Sequence, residues 1–332
     1  MLGLALLGSG RMAHVYGPKI AANPGLDLVR VYNPRIASAE RATALYGGTA
    51  SDDLAATLAD DRVEAVVIAT PTDTHLEYID ACAKAGKPIY CEKPLDMTLE
   101  RTDRCLEVLA AHPVPFMLGF NRRFDPQIAQ LRGAVAAGEL GALRMLQSTS
   151  REPAPPPIAY VKSSGGYFVD AQIHDIDLMC WIAGERPTEV YAQGACLVDP
   201  AIGEAGDVDT AMTILTFPSG AMAWINNCRA CAYGFDQRIE AFGETGLLQT
   251  VNRRDDDLIR WDGTRTEARQ PLKHFFLERY DDSFGIALEA FRQAVVEGRP
   301  PAPSEADGRA ALAIALACAR SLREGRAIAP DA

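Results

Sequence analysis

Gly8-Ser9-Gly10-Arg11-Met12-Ala13 is the stretch that most narrows what this chain can fold into. It follows the apolar run Leu2–Leu7 directly and opens the helical pattern Met12–Ala22. A strand that turns on glycine into a helix is the nucleotide-binding βα unit. The first Gly permits a tight turn, the second lets a pyrophosphate approach the backbone, and the opening amides of the helix face the anion. Ala in the last place of GxGxxG is an accepted variant. The hexamer alone is weak evidence; its strand–turn–helix context gives it weight.

The next segments keep the same rhythm. Apolar runs at Leu28–Tyr32, Ala65–Ala69, Pro88–Cys91 and Phe116–Leu118 alternate with helical patterns at Ala37–Tyr46, Asp52–Leu58, His75–Ala85 and Leu99–Ala111. Strands without polar alternation are buried on both faces, and β–helix–β repetition makes a parallel sheet. The fold class is therefore α/β, with an N-terminal Rossmann, doubly wound parallel sheet over residues 1–119.

After Gly119 the rhythm changes. A helix is expected from Asp125, with Pro126 in its first turn, to Ala137. Strand-like runs follow at Ala142–Ser150, Glu189–Leu197, Asp209–Phe217, Ala221–Asn227 and Gln237–Phe242. Several mix apolar with polar residues, as a sheet with one solvated or partner-covered face would. One helical pattern, Tyr167–Ala183, interrupts the strands, and the tail is helical from Phe284 to Arg326 around a break at Gly298–Pro303. Because 332 residues exceed what one core normally serves, residues 120–332 are expected to form a second, α+β domain.

Charge excludes one class of partner. Asp and Glu outnumber Lys and Arg 44 to 33, and no basic run occurs, so nucleic acid would be repelled. No segment approaches the ~18 apolar residues of a membrane span. The apolar start has no basic region ahead of it, unlike a secretion signal, so no membrane partner and a cytoplasmic location are expected. Cys228 and Cys231 form the one CxxC, without the second pair that a zinc site of about four ligands needs, so no metal is expected.

An acidic residue about 20 positions past the fingerprint normally binds the ribose 2′-hydroxyl of NAD. Asn33 stands there, followed by Pro34 and Arg35. Asn can hydrogen-bond a ribose but lacks the charge that rejects a 2′-phosphate, and Arg35 could pair with one. NAD is the expected cofactor, with NADP possible for that reason. Thr70 and Pro71 close a strand and should pass near the cofactor, with His75 just beyond. Glu92 and Lys93 come at the end of the strand starting at Pro88, where a Lys can point into the crevice. In the second domain, Asp170, His174 and Asp177 fall on one narrow arc of a helix at ~100° per residue. A structural polar network and a site explain that stripe equally well.

The combination decides between them. Cys91-Glu92-Lys93-Pro94 behind a Rossmann half, followed by Gly165-Gly166, Asp170, His174-Asp175 and Asp177, resembles the Gfo/Idh/MocA oxidoreductase family over nearly the whole chain. The stretches GFNRRFDP from Gly119, VDPAIGEAGDVDT from Val198, YGFDQRIEAFG from Tyr233 and FFLERY from Phe275 resemble its inositol-oxidising branch. The resemblance implies an open, mostly antiparallel sheet in the second domain and a homotetramer. It implies NAD(P)-dependent oxidation of a secondary hydroxyl on a cyclic polyol such as myo- or scyllo-inositol. Lys93, Asp170 and His174 become the catalytic set; these three with Arg123, Asp177 and Tyr233 are the expected substrate contacts. Gly8, Ser9, Gly10, Arg11, Met12, Asn33, Arg35, Thr70, Pro71, His75, Glu92 and Lys93 are expected at the cofactor, and Tyr280 is expected to reach it. Oxidation of a pyranose sugar, an NAD-dependent glycosidase on the same fold and a cofactor-binding sensor are the alternatives.

Overall fold

Six short strands with no polar alternation, each followed by a turn or helix, build the first sheet. A computed structural model describes residues 1–331. Its elements in order are β1 (Leu2–Leu7), α1 (Ala13–Ala22), β2 (Leu26–Tyr32), α2 (Ile36–Tyr46), β3 (Thr49–Ser51), α3 (Leu54–Leu58), β4 (Ala65–Ile68), α4 (His75–Lys84), β5 (Ile89–Cys91), α5 (Leu99–Ala111) and β6 (Phe116–Leu118). The strands pair in the order β3-β2-β1-β4-β5-β6, all parallel. Every residue of β1, β4, β5 and β6 is buried, which is why those runs read as continuously apolar. Strand order reverses between β1 and β4, the place where doubly wound sheets bind their ligands.

The chain continues through α6 (Pro126–Ala136), β7 (Leu143–Arg151), α7 (Ile158–Val161), a π turn (Phe168–Gln172), α8 (Ile173–Ala183), β8 (Glu189–Ala195), α9 (Pro200–Glu204), β9 (Thr210–Thr216), β10 (Met222–Cys228), β11 (Asp236–Gly243) and β12 (Leu247–Gln249). A two-residue hairpin pair, β13 (Ile259–Arg260) and β14 (Ala268–Arg269), precedes α10 (Phe276–Arg279), α11 (Asp281–Glu297) and α12 (Glu305–Glu324). The second sheet runs β12-β11-β7-β10-β9-β8. Only β7 and β10 are parallel, so it is open and mostly antiparallel, as expected. Its strands alternate: Ala211, Thr213 and Leu215 of β9 point inward, and Met212 and Ile214 point out.

The chain divides into two compact units, one of residues 1–124 and 282–312 and the other of 125–281 and 313–331. A single cut after residue 119 leaves out this return. The return has a packing cause. Phe284 and Phe291 of α11 meet Tyr16 and Tyr90 edge-on at 5.9 and 5.8 Å, and Asn121 donates to the Ser283 hydroxyl at 3.0 Å. Residues 282–312 thus complete the first unit's core. Among the described residues no helix is long and apolar enough to cross a membrane.

Candidate active site

Gly8 follows β1 with φ of +100°. A Cβ there would stand 2.6 Å from the Ala69 carbonyl oxygen, so only glycine lets the β1 and β4 loops close on each other. At Gly10 a Cβ would meet nothing within 4 Å. Its missing side chain leaves room on the outside of the turn, beside the start of α1. That helix begins at Met12 with no side-chain cap, an end that an anion completes.

Asn33, just past β2, donates through Nδ2 to Ser9 Oγ at 2.9 Å, and its Oδ1 accepts the Arg35 amide at 2.9 Å. An uncharged side chain therefore ties the end of β2 to the glycine turn. Thr70 and Pro71 follow β4, with the Thr74 hydroxyl donating to Pro71 O at 2.7 Å. His75 has a different place from the one expected. It is 1% exposed, with Nδ1 2.9 Å from Pro94 O and Nε2 3.2 Å from Thr70 O. Burial, opposed by those carbonyl contacts, holds its pKa below the ordinary imidazole value. His75 links the loop after β4 to the loop carrying Lys93, and has no surface to offer a cofactor.

Glu92 is buried behind β5 and accepts from the Tyr16 hydroxyl of α1 and, at 3.2 Å, from the Lys93 amide. Burial pushes its carboxyl up, against the Tyr16 hydrogen bond and the charges of Lys93 and Arg11. Glu92 thereby braces the fingerprint helix against the Lys93 turn. Lys93 itself is half-buried. Arg123 belongs to this unit, in a short 3₁₀ turn (Asn121–Phe124), and donates to Asp307 at 3.2 Å.

Asp170, His174 and Asp177 lie in the second unit, but not on one regular stripe. The π turn Phe168–Gln172 adds a residue to its turn, which shifts Asp170 out of phase with the α-helix that follows. Asp170 accepts from Arg229 at 2.8 Å and from the Tyr160 hydroxyl at 2.8 Å. Arg229 also pairs with Glu152 at 3.1 Å and lies 4.9 Å from the Tyr167 ring centroid. The buried face of the helix is polar too. Asp175 accepts from Ser148 at 2.7 Å and Asn227 at 2.9 Å, while Gln172 bonds Asn227 and Thr213. His174 is half-buried, and Asp177 is buried.

Tyr233 is 54% exposed; its hydroxyl accepts from Arg151 and donates to Asp236, each at 2.8 Å. Burial raises the Asp236 carboxyl, but Arg238, Asn252 and Tyr233 outweigh it and hold the group below the usual range. Tyr233 and Asp236 border a cavity of about 620 Å³ that also takes in Arg238, Asn252, Arg254 and His274. Asp170 and His174 are not part of its lining. Tyr280 is not placed as expected. It is buried in the second unit, its hydroxyl 3.1 Å from Gln237 and its ring packed edge-on against Phe235. It packs in that unit's core.

The glycine turn at the strand-order reversal, the room beside Gly10 and the uncapped α1 together fit a dinucleotide. Residues 2–120 match the oxidoreductase family model with an NAD-binding Rossmann fold, and residues 128–249 match the GFO/IDH/MocA C-terminal domain. The chain belongs to the Gfo/Idh/MocA oxidoreductase family. It is 42% identical to inositol 2-dehydrogenase of Rhizobium meliloti (strain 1021), over 97% of each chain. It is 45% identical to myo-inositol 2-dehydrogenase of Thermotoga maritima, over 81% of this chain and 80% of that one. The crystal structure of a myo-inositol dehydrogenase from Corynebacterium glutamicum ATCC 13032 superposes with a TM-score of 0.96 at 38% identity, covering 100% of this chain and 99% of that one.

As a Gfo/Idh/MocA oxidoreductase, the chain carries an NAD-binding domain. Sequence reasoning missed Tyr16, Tyr160, Glu152 and Arg229 around its candidate site. Tyr16 lies one helical turn past Met12, a spacing that could have flagged it. For a lone Arg after a strand there is no local sign that it is buried.

Proposed function

We propose that this oxidoreductase is an inositol 2-dehydrogenase that oxidises a ring hydroxyl of myo- or scyllo-inositol to the ketone. The observation carrying this reading is the end-to-end likeness, at 42% identity, to a protein named inositol 2-dehydrogenase. NAD, when bound, supplies the hydride acceptor, held by Gly8–Met12, with Asn33 and Arg35 toward its ribose. His174 takes the hydroxyl proton, since an imidazole titrates near the working pH and can act in both directions. Asp170, ionised beside Arg229 and Tyr160, orients His174 and stabilises the imidazolium. Lys93 donates to the reacting oxygen as negative charge develops there. Arg123, Asp177 and Tyr233 supply hydrogen-bond partners for the remaining hydroxyls.

The neutral, engaged side chain of Asn33 supports acceptance of NADP beside NAD. We also take the protein to be a cytoplasmic homotetramer. Its eight free thiols support a reducing compartment. The outer face of its open sheet supports self-assembly: Trp224 stands opposite Ile214, Ile214 opposite Tyr191, and Met222 opposite Met145, all exposed.

Near-ultraviolet absorbance of reduced cofactor, with myo-inositol, scyllo-inositol and a panel of pyranoses, each with NAD and NADP, tests the reading. A rise with either inositol is expected; a rise with pyranoses alone, or none, would overturn the substrate assignment. Lys93→Ala and His174→Gln should each lower kcat by ~10²-fold or more. Wild-type kcat in both would remove their assigned roles.

A further inference from the structure

Arg229 is a buried cation held between two carboxylates. It follows β10, its own amide donates to Asp209 O at 2.8 Å, and only 2% of its surface is open. Its Nη1 serves Glu152 and its Nη2 serves Asp170, while Nε is buried with no partner among the described residues. Its two terminal nitrogens reach carboxylates on separate elements, the strand end of β7 and the π turn.

We infer that Arg229, assisted by Tyr160, is a positioning residue that keeps Asp170 ionised and aimed for proton transfer by His174. This inference rests on the catalytic roles proposed for Asp170 and His174. Asp170 accepts from Arg229, which follows β10, and from Tyr160 of α7, while Arg229 also holds Glu152 at the end of β7. Tyr167, at the start of the π turn, lies beside Arg229, with Glu152, Cys228 and Asp175 acting on its hydroxyl. Asp175 is engaged by Ser148 and Asn227 beneath the helix. Arg229 offsets the two carboxylates it touches. Its charge favours carboxylate at Asp170 and disfavours a second cation at His174. Removing it therefore raises the pKa of both groups, and both changes act in one direction: His174 becomes a competent base only at higher pH.

The test is the pH profile of kcat/KM for inositol oxidation in Arg229→Met, Arg229→Lys and Tyr160→Phe. In R229M the acidic limb should move up by about 1 pH unit, the scale of one charge within hydrogen-bonding reach. R229K keeps the charge and should hold the limb near its wild-type position while losing kcat with the lost fork. Y160F removes one hydrogen bond to the ionised carboxylate and should move the limb upward by less. The KM for NAD should be unchanged throughout. Should R229M fail to fold, R229K and Y160F still decide the matter through the limb and the KM–kcat split. Lower melting temperatures with an unmoved limb in every folded variant would make Arg229 purely structural and overturn the inference. His174→Gln separates this failure from failure of the parent reading. If the wild-type limb survives in H174Q, the His174 role falls and this inference with it. If it vanishes in H174Q yet ignores Arg229 and Tyr160, only the positioning role falls.

Discussion

Two glycines of the same turn should answer the same mutation in opposite ways. Gly8→Ala forces an L-residue to a φ of +100°, which costs ~1–3 kcal/mol. It also puts Cβ 2.6 Å from a backbone oxygen that cannot rotate away, adding a further ~1–3 kcal/mol as overpacking does. The sum is ~2–6 kcal/mol, and at ~2–4 °C per kcal/mol for a unit of this size the melting temperature should fall by at least ~4 °C. Gly10→Ala meets nothing within 4 Å, so its stability should stay within ~0.5 kcal/mol of wild type. Its methyl instead enters the room left for the pyrophosphate, and NAD affinity should fall by ~10-fold or more. Thermal melts with and without NAD, and a fluorescence titration of NADH, measure both quantities. If G10A melted as early as G8A, or bound NADH like the wild type, the assignment of this turn to the cofactor would be refuted.

Asn33→Asp restores the charge that repels a 2′-phosphate and should raise the NAD-over-NADP ratio of kcat/KM by ~10-fold or more; an unchanged ratio would separate Asn33 from cofactor choice. Burial holds the His75 pKa in the fold below the ~6.5 of the unfolded ring, so the unfolded state binds more protons in the window below about pH 6.5. Stability should therefore be complete above about pH 6.5 and decline below it, by at most ~1.4 kcal/mol per pH unit, and His75→Asn should flatten the slope in urea melts. Asp125 caps α6 at Gln127 and Ile128 and pairs with Arg279 at 2.5 Å, both side chains being 1% exposed. Asp125→Asn leaves that guanidinium uncompensated and should cost ~3–5 kcal/mol, with partial recovery in the Asp125→Asn/Arg279→Met double variant; equal stability of all three would argue against the pair.

What the sequence disclosed was local or periodic. The fingerprint, the helix Leu99–Ala111 and the strand Phe116–Leu118 each carry their signal within a few residues and appear where they were expected. β3 was missed because Thr49–Ser51 is a short edge strand without a single large apolar residue. β12 and the β13–β14 hairpin are too short for alternation to register. The π turn was invisible for another reason: no residue type marks it, and a fixed 100° step hides the slip at Asp170. The motif around His174 mixed two roles that spacing cannot separate. Asp175 is buried and anchors the helix to Ser148 and Asn227, while His174 beside it is half-buried. Tyr280 and Arg229 depend on partners more than 40 residues away in sequence, Gln237 and Asp170, and such pairings leave no local trace.

The return of residues 282–312 to the first unit has a consequence for how the protein is made. Synthesis delivers β1–β6 first, yet their aromatic partners Phe284 and Phe291 emerge only after the entire second sheet. Until then Tyr16 and Tyr90 lack those partners, and the second unit waits longer still for the residues from 313 onward. A chain halted anywhere before α11 carries the complete fingerprint but lacks the helix that closes the core behind it.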